Sequence, residues 1–432
     1  MSDTAYSKTL LLIVGSIIFC FLSSCNFDSS SWNPKIGNAS SSRTSSVESG
    51  ITQYEWIIQD NPENIWAYIT MSSLYQQKIR ETADISYYDT IDSLMDKAEV
   101  LSPQDPDILS QRAQVALGRH SFQKWKQYIL KALAINPSRA TYYWTLGDAE
   151  IELGEYTGAI DAFQKMIDIR PDYSSYIRIA YLREIYGDIQ GAKDSIGLAI
   201  DAGSTNKENI AFAYTELWKL DMRSDLSIAQ AQFESALKIV ENYPPALEWL
   251  GKIAYFQGNA TWAIAYFETA YEKLPLVQYL VDTADIYTLI WQSQKALLNL
   301  TLAKISFELS LNSGVNNSLE SSLFLTDHDL DLSWALEKVK KSYEERPNIF
   351  VADALSWALY KNQKLSEANS YTKEALRIWE NDSVILYHQG MIALANGNRI
   401  TAKKYLSKAL SLHPYFSLLD SKKAKDALVA LQ

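Results

Sequence analysis

The pattern of apolar and polar positions divides the chain into three parts. Residues 9–22, TLLLIVGSIIFCFL, form an unbroken apolar run of 14 residues that follows Lys8. Residues 29–50 are polar, with nine serines in 22 positions and hardly any periodic apolar residue. Beyond residue 50, apolar residues return in blocks that repeat along the chain. The pattern therefore predicts an export signal, a polar linker and a long helical repeat region.

The apolar run is shorter than the roughly 20 residues that a membrane-spanning helix needs, and its length suits a secretory signal. Directly at its end, Leu22, Ser23, Ser24 and Cys25 resemble the bacterial lipobox, in which an aliphatic residue and two small residues precede a cysteine. The resemblance implies lipid transfer to Cys25, cleavage that removes residues 1–24, and acylation of the new terminus. The alternative is an ordinary signal or an uncleaved anchor. We expect a lipoprotein of the bacterial cell envelope, with its folded part outside the cytoplasm.

The mature chain would begin with Cys25 and contain no internal disulfide, because the other cysteine, Cys20, lies in the segment to be removed. After it, the serine-rich residues cannot bury enough apolar surface to offset the entropy lost on ordering. We therefore expect residues 25–50 to form a flexible tether that spans roughly 25–30 Å.

Three segments from the rest of the chain align without gaps and end at Pro171, Pro275 and Pro414. Small residues let two helices approach closely where they cross, glycine suits the turn between them, and proline stops the second helix. Each segment therefore predicts one helical hairpin. Beside the prolines, the matching residues are Gly147, Gly154, Ala159 and Phe163; Gly251, Gly258, Ala263 and Phe267; and Gly390, Gly397, Ala402 and Leu406.

This pattern resembles the tetratricopeptide repeat (TPR), whose period is about 34 residues. The resemblance implies an all-α superhelical solenoid of antiparallel helix pairs. Residues 51–310 would hold about seven repeats, and residues 311–432 further repeats and a C-terminal capping helix. Ten compact residues, spaced 33 to 39 apart, mark the second helices: Ala98, Ala132, Met166, Ala199, Ala236, Ala270, Ala303, Ser342, Ala375 and Ala409. We expect loops to absorb the differences in spacing, and a bend or break near residues 311–318.

The sequence carries no recognisable nucleophile, phosphate-loop or zinc motif, and every segment after the tether belongs to a repeat. We therefore predict a protein that is not an enzyme and needs no cofactor. The segment TDHDLD places Asp327, Asp329 and Asp331 at alternate positions, as a calcium loop does, but Leu332 and Lys338 stand where that loop has glycine and glutamate. A helix start is the simpler interpretation, and a solute- or metal-binding surface protein is the alternative function.

The net charge of −11 comes without any dense basic run, so nucleic acid is not an expected partner. The TPR resemblance instead implies a concave groove, lined by first helices, that holds a partner protein or peptide. The chain has 52 aromatic residues, so composition alone would bring several to that face. The favoured function is a membrane-anchored scaffold or adaptor that binds proteins in this groove. The expected groove residues are Trp144, Asp148, Ile177, Tyr181, Glu248, Lys252, Tyr255, Tyr387 and Met391.

Overall fold

A computed structural model describes residues 43–204, 206–222, 225–378 and 382–431. Residues 1–42, with the apolar run and the proposed lipid site at Cys25, lie outside the described residues. Within the described ranges the chain is helical throughout, and none of the helices is long and apolar enough to span a bilayer. The helices are α1 Arg43–Asp60, α2 Ile65–Thr82, α3 Tyr87–Leu101, α4 Pro106–Gly118, α5 Phe122–Ile135, α6 Ala140–Glu152, α7 Tyr156–Ile169, α8 Tyr173–Ile185, α9 Ile189–Ala202, α10 Lys207–Asp221, α11 Leu226–Ile239, α12 Pro244–Phe256, α13 Ala260–Lys273, α14 Val277–Leu289, α15 Ser293–Asn312, α16 Ser318–Asp327, α17 Leu332–Glu345, α18 Ile349–Lys361, α19 Leu365–Ala375, α20 Ser383–Ala395, α21 Arg399–Leu412 and α22 Asp420–Ala430.

From α2 to α21 the helices form ten consecutive hairpins, in which an even-numbered helix comes first and the next odd-numbered helix packs against it. All ten compact residues that mark the repeats lie in the second helices. Each of them is at most 2% exposed to solvent. The predicted fold class, an all-α solenoid of helix pairs, is therefore confirmed.

The crossing of the two helices in a hairpin depends on a glycine that lies under a large apolar side chain. A Cβ atom added to Gly251 on α12 would lie 2.5 Å from Cε1 of Phe267 on α13, and one added to Gly147 would lie 2.2 Å from Cε1 of Phe163. Any larger residue would push the helices apart. The turn that follows α12 uses Gly258 at a φ of 88°, a conformation that L side chains rarely adopt.

Local sequence also sets where the helices begin and end. The side chain of Asn259 accepts a hydrogen bond from the backbone N–H of Trp262, and Asp382 accepts one from Ile385, so each caps the start of a helix. At the other end, α13 stops two residues before Pro275, which cannot continue the hydrogen-bond ladder. These signals are local, which is why the repeat boundaries could be located from the sequence.

The structure differs from the prediction at the end of the expected tether. Residues 43–50, assigned to the tether, begin helix α1 instead. Val47 and Ile51 are buried and belong to one apolar cluster with Tyr68 and Ile69 of α2. Two apolar residues four positions apart on one face of a helix were enough to anchor this serine-rich stretch.

The widest repeat spacing also has an unexpected origin. Loops were expected to absorb the 39 residues between Ala303 and Ser342, but helix α15 runs for 20 residues, whereas α13 has 14. Its extension carries the following turn, Ser313 to Asn317, against the α4–α5 turn. The turn at which we expected a bend or break thus contacts a distant part of the chain.

A closure seam joins residues that lie about 190 positions apart in the chain. The guanidinium of Arg346 donates to Glu152 Oε2 at 2.9 Å, with both side chains buried, and the side chain of Asn348 donates to the Glu152 carbonyl at 2.8 Å. The backbone N–H of Ile349 donates to Tyr156 Oη at 3.0 Å. The turns after α4 and α6 therefore dock onto the turns before α16 and α18. Further contacts of the seam join Asn316 to Arg119 and His120, and Arg377 to Gly154.

Candidate partner-binding groove

The first helices of successive hairpins converge on a cavity of about 390 Å³ in the inner face of the array. Helices α12, α14 and α16 supply most of its wall, and α18 and α20 close it on the far side. Its apolar surface is largely aromatic, and a set of ionisable residues interrupts it. The aromatic residues are Trp249, Phe256, Phe307, Phe324, Phe350, Tyr415 and Phe416, and the acidic residues are Glu152, Asp282, Asp285, Glu320, Asp327 and Asp420.

Lys252 on α12 is the centre of the charged wall. Its Nζ donates to Glu248 Oε1 at 2.5 Å and lies 3.4 Å from Asp282 Oδ2, and it also lies 4.8 Å from the centroid of the Trp249 ring. Burial opposes its charge, but Asp282 and Glu248 outweigh burial and raise the pKa of Lys252. Burial raises the pKa of Asp282 to about 7. Lys252 opposes this rise only in part, because the same lysine also pairs with Glu248. This wall is short of positive charge.

A histidine and an aspartate form a second polar group on the neighbouring helices. His328 has acceptors at both ring nitrogens, with Asp285 Oδ1 2.8 Å from Nε2 and the Phe324 carbonyl 2.7 Å from Nδ1. Burial raises the pKa of Asp285. Burial alone would lower the pKa of His328, but the hydrogen bond and the charge of Asp285, with the hydrogen bond to Phe324, together outweigh burial and raise it. A proton shared by these two residues therefore stays bound at pH values well above the usual pKa range of a carboxyl group.

The three aspartates of TDHDLD point to three different partners. Asp327 accepts from the indole N–H of Trp357 at 2.8 Å, Asp329 accepts from Lys361 at 2.7 Å, and Asp331 pairs with Lys304. Within the described ranges, no three histidine, cysteine, aspartate or glutamate side chains come together as metal ligands. The geometry gives no support to a metal site in this segment.

The segment that leads from α21 to α22 crosses the mouth of the cavity. We call residues 414–419, PYFSLL, the strap. The ring of Tyr415 lies 5.0 Å from the ring of Phe256, and the ring of Phe416 lies 5.5 Å from that of Tyr387, centroid to centroid. Leu418 is buried in one cluster with Ala254 and Ile286. The chain thus covers part of its own groove.

Four of the nine residues expected in the groove lie in or beside this cavity. Lys252 lines it, Glu248 binds Lys252, and Tyr255 contacts Phe256 with a ring separation of 5.5 Å. Tyr387 lies under the strap, where it is 1% exposed and donates to Asp420 Oδ1 at 3.2 Å. Tyr387 is therefore accessible to a partner only when the strap moves.

The expectation fails for Asp148 and Ile177, which are buried between neighbouring hairpins. Asp148 on α6 accepts two hydrogen bonds from Nε of Arg178 on α8, at 2.9 and 3.1 Å, and both side chains are excluded from solvent. Ile177 belongs to an apolar core cluster. The first helices of hairpins 3 and 4 pack closely enough to bury Asp148 against Arg178, and Ile177 is buried against later hairpins.

The three remaining residues are half-buried and pack against the body of the array. Trp144 lies under the guanidinium of Arg178, 4.5 Å from the ring centroid. Tyr181 packs against the apolar cluster that contains Ile185, and Met391 packs against the cluster of the last two hairpins. The structure does not bring these residues together with Lys252.

Two of the cavity residues that were not predicted could have been found from the register of the repeats. Lys252 follows Gly251, which lies 19 residues before Ala270 in the repeat register. The same register counted from Ala303 and Ser342 leads to Asp285 and Phe324, which both line the cavity. Applying the register to all ten repeats could thus have found them. Arg346 and the strap lie outside the first helices and carry no such signal.

Comparison with known proteins agrees with this architecture. Two models of the tetratricopeptide repeat match the chain, over residues 111–174 and residues 384–416. The first match includes the residues from Arg119 to Tyr156 that form one side of the closure seam, and the second lies in the last complete repeat. No curated protein matches the chain.

The solved structures that match the chain are distant in sequence. Yeast Tom70 is 15% identical, with 90% of this chain and 93% of that chain covered and a TM-score of 0.37. A tetratricopeptide repeat protein from Parabacteroides merdae is 17% identical, with 60% and 98% covered and a TM-score of 0.36. The human IFIT1 dimer with m7Gppp-AAAA is 13% identical, with 93% and 96% covered and a TM-score of 0.46.

Proposed function

We propose that this chain, which is a tetratricopeptide-repeat protein, is a membrane-anchored scaffold that binds partner proteins in its concave groove. The observation that supports the groove is the cavity that α12, α14 and α16 line together. It combines aromatic side chains with ion pairs such as Lys252 with Glu248, a mixture typical of the central residues of protein interfaces. The role needs no catalytic residue and no cofactor.

The charge of the groove favours a protein partner over a nucleic acid. Six acidic residues line the cavity against two basic residues, Lys252 and Arg346. Arg346 already pairs with Glu152 in the closure seam. Because phosphate groups need positive charge around them, a nucleic acid would be repelled from this wall.

A photo-activatable residue placed at Gln278 tests the groove. Gln278 lines the cavity on α14, whereas Glu272 on α13 is exposed outside it and provides the matched control. We expect a discrete cross-linked protein from position 278 that is absent from position 272. Adding Val281→Arg, which fills the cavity with a long side chain, should abolish that product. Cross-linking that Val281→Arg leaves unchanged would exclude the groove as the binding site.

The proposed anchor rests on the lipobox resemblance of residues 22–25, which lie outside the described residues. Acyl chains contribute about 0.8 kcal/mol of membrane affinity per buried methylene, so two or more chains hold a protein firmly. The mass of the membrane-fraction protein should show loss of residues 1–24 plus acyl additions. Cys25→Ala should abolish both changes, and Cys20→Ala should leave both intact because Cys20 is removed with the signal. A full-length, unmodified wild-type mass would contradict the anchor.

A further inference from the structure

The strap occupies the groove through its side chains. Tyr415 and Phe416 each contact an aromatic residue of the wall, and Leu418 is 6% exposed among apolar residues of α12 and α14. The strap is also not part of a helix. It therefore shows which chemistry the groove accepts in a non-helical segment, namely two aromatic residues followed by leucine.

Hydrogen bonds of the strap backbone are made to its own neighbours. The N–H of Tyr415 donates to His413 Nδ1 at 3.3 Å, and the N–H of Ser417 donates to Ser421 Oγ at 3.0 Å. Beside these, the hydroxyl of Tyr387 donates to Asp420 at 3.2 Å and ties the end of the strap to α20. Lifting the strap from the wall would thus break side-chain contacts and leave these local backbone bonds in place.

The charge at the end of the strap does not complement the surface beneath it. We call Asp282, Asp285 and Asp327 the floor carboxylates. Asp420 lines the same cavity as Asp282, Asp285 and Asp327, so the strap adds a carboxylate to an acidic surface. Burial raises the pKa of Asp327 to about 6, and the charge of Asp420 acts in the same direction. Lys423 on α22 pairs with Asp420 at 2.9 Å and its charge also acts on Asp327, but the strap itself, residues 414–419, brings no cation to the floor carboxylates.

The strap also leaves the cavity partly empty. A volume of about 390 Å³ remains between the strap and the first helices. The cavity is partly open to solvent, so the side chains of the strap cover only part of its wall. A second occupant has room for longer side chains than those of the strap.

We infer that the groove binds a non-helical protein segment in which two aromatic residues and leucines are followed by a lysine or arginine, and that this segment replaces the strap. The inference rests on the proposed function and specifies the chemistry of the partner. The aromatic residues and leucines take the places of Tyr415, Phe416 and Leu418. The basic residue takes the place of Asp420 and pairs with the floor carboxylates.

The strap is a competitor that is always present. A segment joined to its own binding site acts at an effective concentration that is typically in the millimolar range. An external segment with the same contacts would therefore bind weakly to the intact chain. The pairing of its basic residue with the floor carboxylates is the added interaction that lets the partner segment displace the strap.

Two labelled peptides test the inference by fluorescence anisotropy on the purified full-length chain. One has the sequence of residues 412–421, LHPYFSLLDS, and the other, LHPYFSLLKS, differs only in the residue that corresponds to Asp420. The receptor chains are the wild type and Phe416→Ser/Leu418→Ser, in which the strap is weakened. We expect the weakened chain to bind the lysine peptide at least tenfold more tightly than the aspartate peptide. The wild type should bind the lysine peptide at least tenfold more weakly than the weakened chain does.

Two further variants and one further measurement keep the test independent of folding defects. Asp285→Asn/Asp327→Asn should remove the preference for the lysine peptide without removing the binding of either peptide. Saturating lysine peptide should increase hydroxyl-radical labelling of the Tyr415, Phe416 and Leu418 side chains in the wild type, which needs no substitution. Equal affinity for the two peptides, or unchanged labelling of these side chains, would overturn the inference.

The outcome is distinguishable from a failure of the proposed function. If position 278 cross-links a partner that Val281→Arg abolishes while neither peptide binds, the groove is a binding site for a different chemistry and the inference is wrong. If the lysine peptide binds as expected while no partner cross-links, the groove chemistry is right and the scaffold function is not supported.

Discussion

Single residues decide how closely the two helices of a hairpin approach, and thereby where the groove side chains lie. Gly251 lies against the ring of Phe267, and the next residue along α12 is Lys252, which faces the cavity. Any side chain at position 251 would displace α12 and move Lys252 relative to Asp282 on α14. The repeat residue and the groove residue are therefore coupled through the helix that both occupy.

Gly251→Ala should destabilise the protein, by about 1–3 kcal/mol, because the new Cβ would lie 2.5 Å from the Phe267 ring. Gly197→Ala is the matched control, since Gly197 lies within α9 with open space where its Cβ would be. Alanine there should raise stability, by up to about 1 kcal/mol, through its better helix propensity. Thermal unfolding measures both. Equal effects of the two substitutions would contradict the packing role of Gly251.

At the level of elements, the closure seam joins turns rather than helix faces. The turns after α4 and α6 meet the turns before α16 and α18, through Arg346, Asn348 and Ile349 on one side and Glu152 and Tyr156 on the other. Burial raises the pKa of Glu152, and the charge of Arg346 opposes that effect. Because the seam links hairpins 2 and 3 to hairpins 8 and 9, it limits how far these parts of the array can move apart.

Arg346→Met should open the seam, because it leaves the carboxylate of Glu152 buried without its cation. Breaking one partner of a buried pair costs about 3–5 kcal/mol. The backbone N–H of Ile349, which donates to Tyr156, should then exchange with solvent roughly a hundredfold faster, since each 1.4 kcal/mol is about tenfold.

The double variant Glu152→Gln/Arg346→Met should recover part of that protection, because it removes the buried charge of Glu152, whereas Glu320, 3.9 Å from Arg346, still loses its ion pair. Lys422→Met removes the exposed pair with Asp426 and should leave exchange at Ile349 unchanged. If Arg346→Met exchanges no faster than Lys422→Met, the seam does not depend on this ion pair.

For the whole molecule, the buried ionisable groups of the cavity predict how stability depends on pH. Burial raises the pKa of Asp327 to about 6, of Asp282 to about 7, and also of Asp285. Hydrogen-bonded aspartates outweigh burial and raise the pKa of His328 and His388. The folded state therefore binds more protons than the unfolded state between about pH 4 and the folded pKa values. His120, whose pKa burial lowers, acts in the opposite direction.

Because the folded state holds the extra protons, the thermal midpoint should fall as the pH rises from about 5 to about 8. Asp327→Asn keeps an acceptor for the indole N–H of Trp357 and removes one titrating carboxyl group. Between about pH 5 and pH 8 this variant should therefore lose less unfolding free energy than the wild type, by on the order of 1–3 kcal/mol. Asp426→Asn, at an exposed ion pair, should leave the slope as it is. A thermal midpoint that rises with pH would contradict the expected sign.

The sequence by itself determined the repeat, the fold class and the register of the hairpins. Gly147, Ala159 and Pro171 act through contacts within one hairpin, so the physics that requires them is local and recurs with a fixed spacing. That register also reaches Asp285 and Phe324 once it is applied to every first helix. The start of α1 was missed because the composition of the serine-rich stretch concealed the pairing of Val47 with Ile51.

Only the tertiary structure decided which repeats meet across the array. The pairing of Glu152 with Arg346, and the crossing of the groove by the strap, depend on small rotations between neighbouring hairpins that add up over about 190 residues. No short pattern in the chain specifies that sum. Local chemistry thus specified the hairpins, and the geometry of their stacking determined the groove.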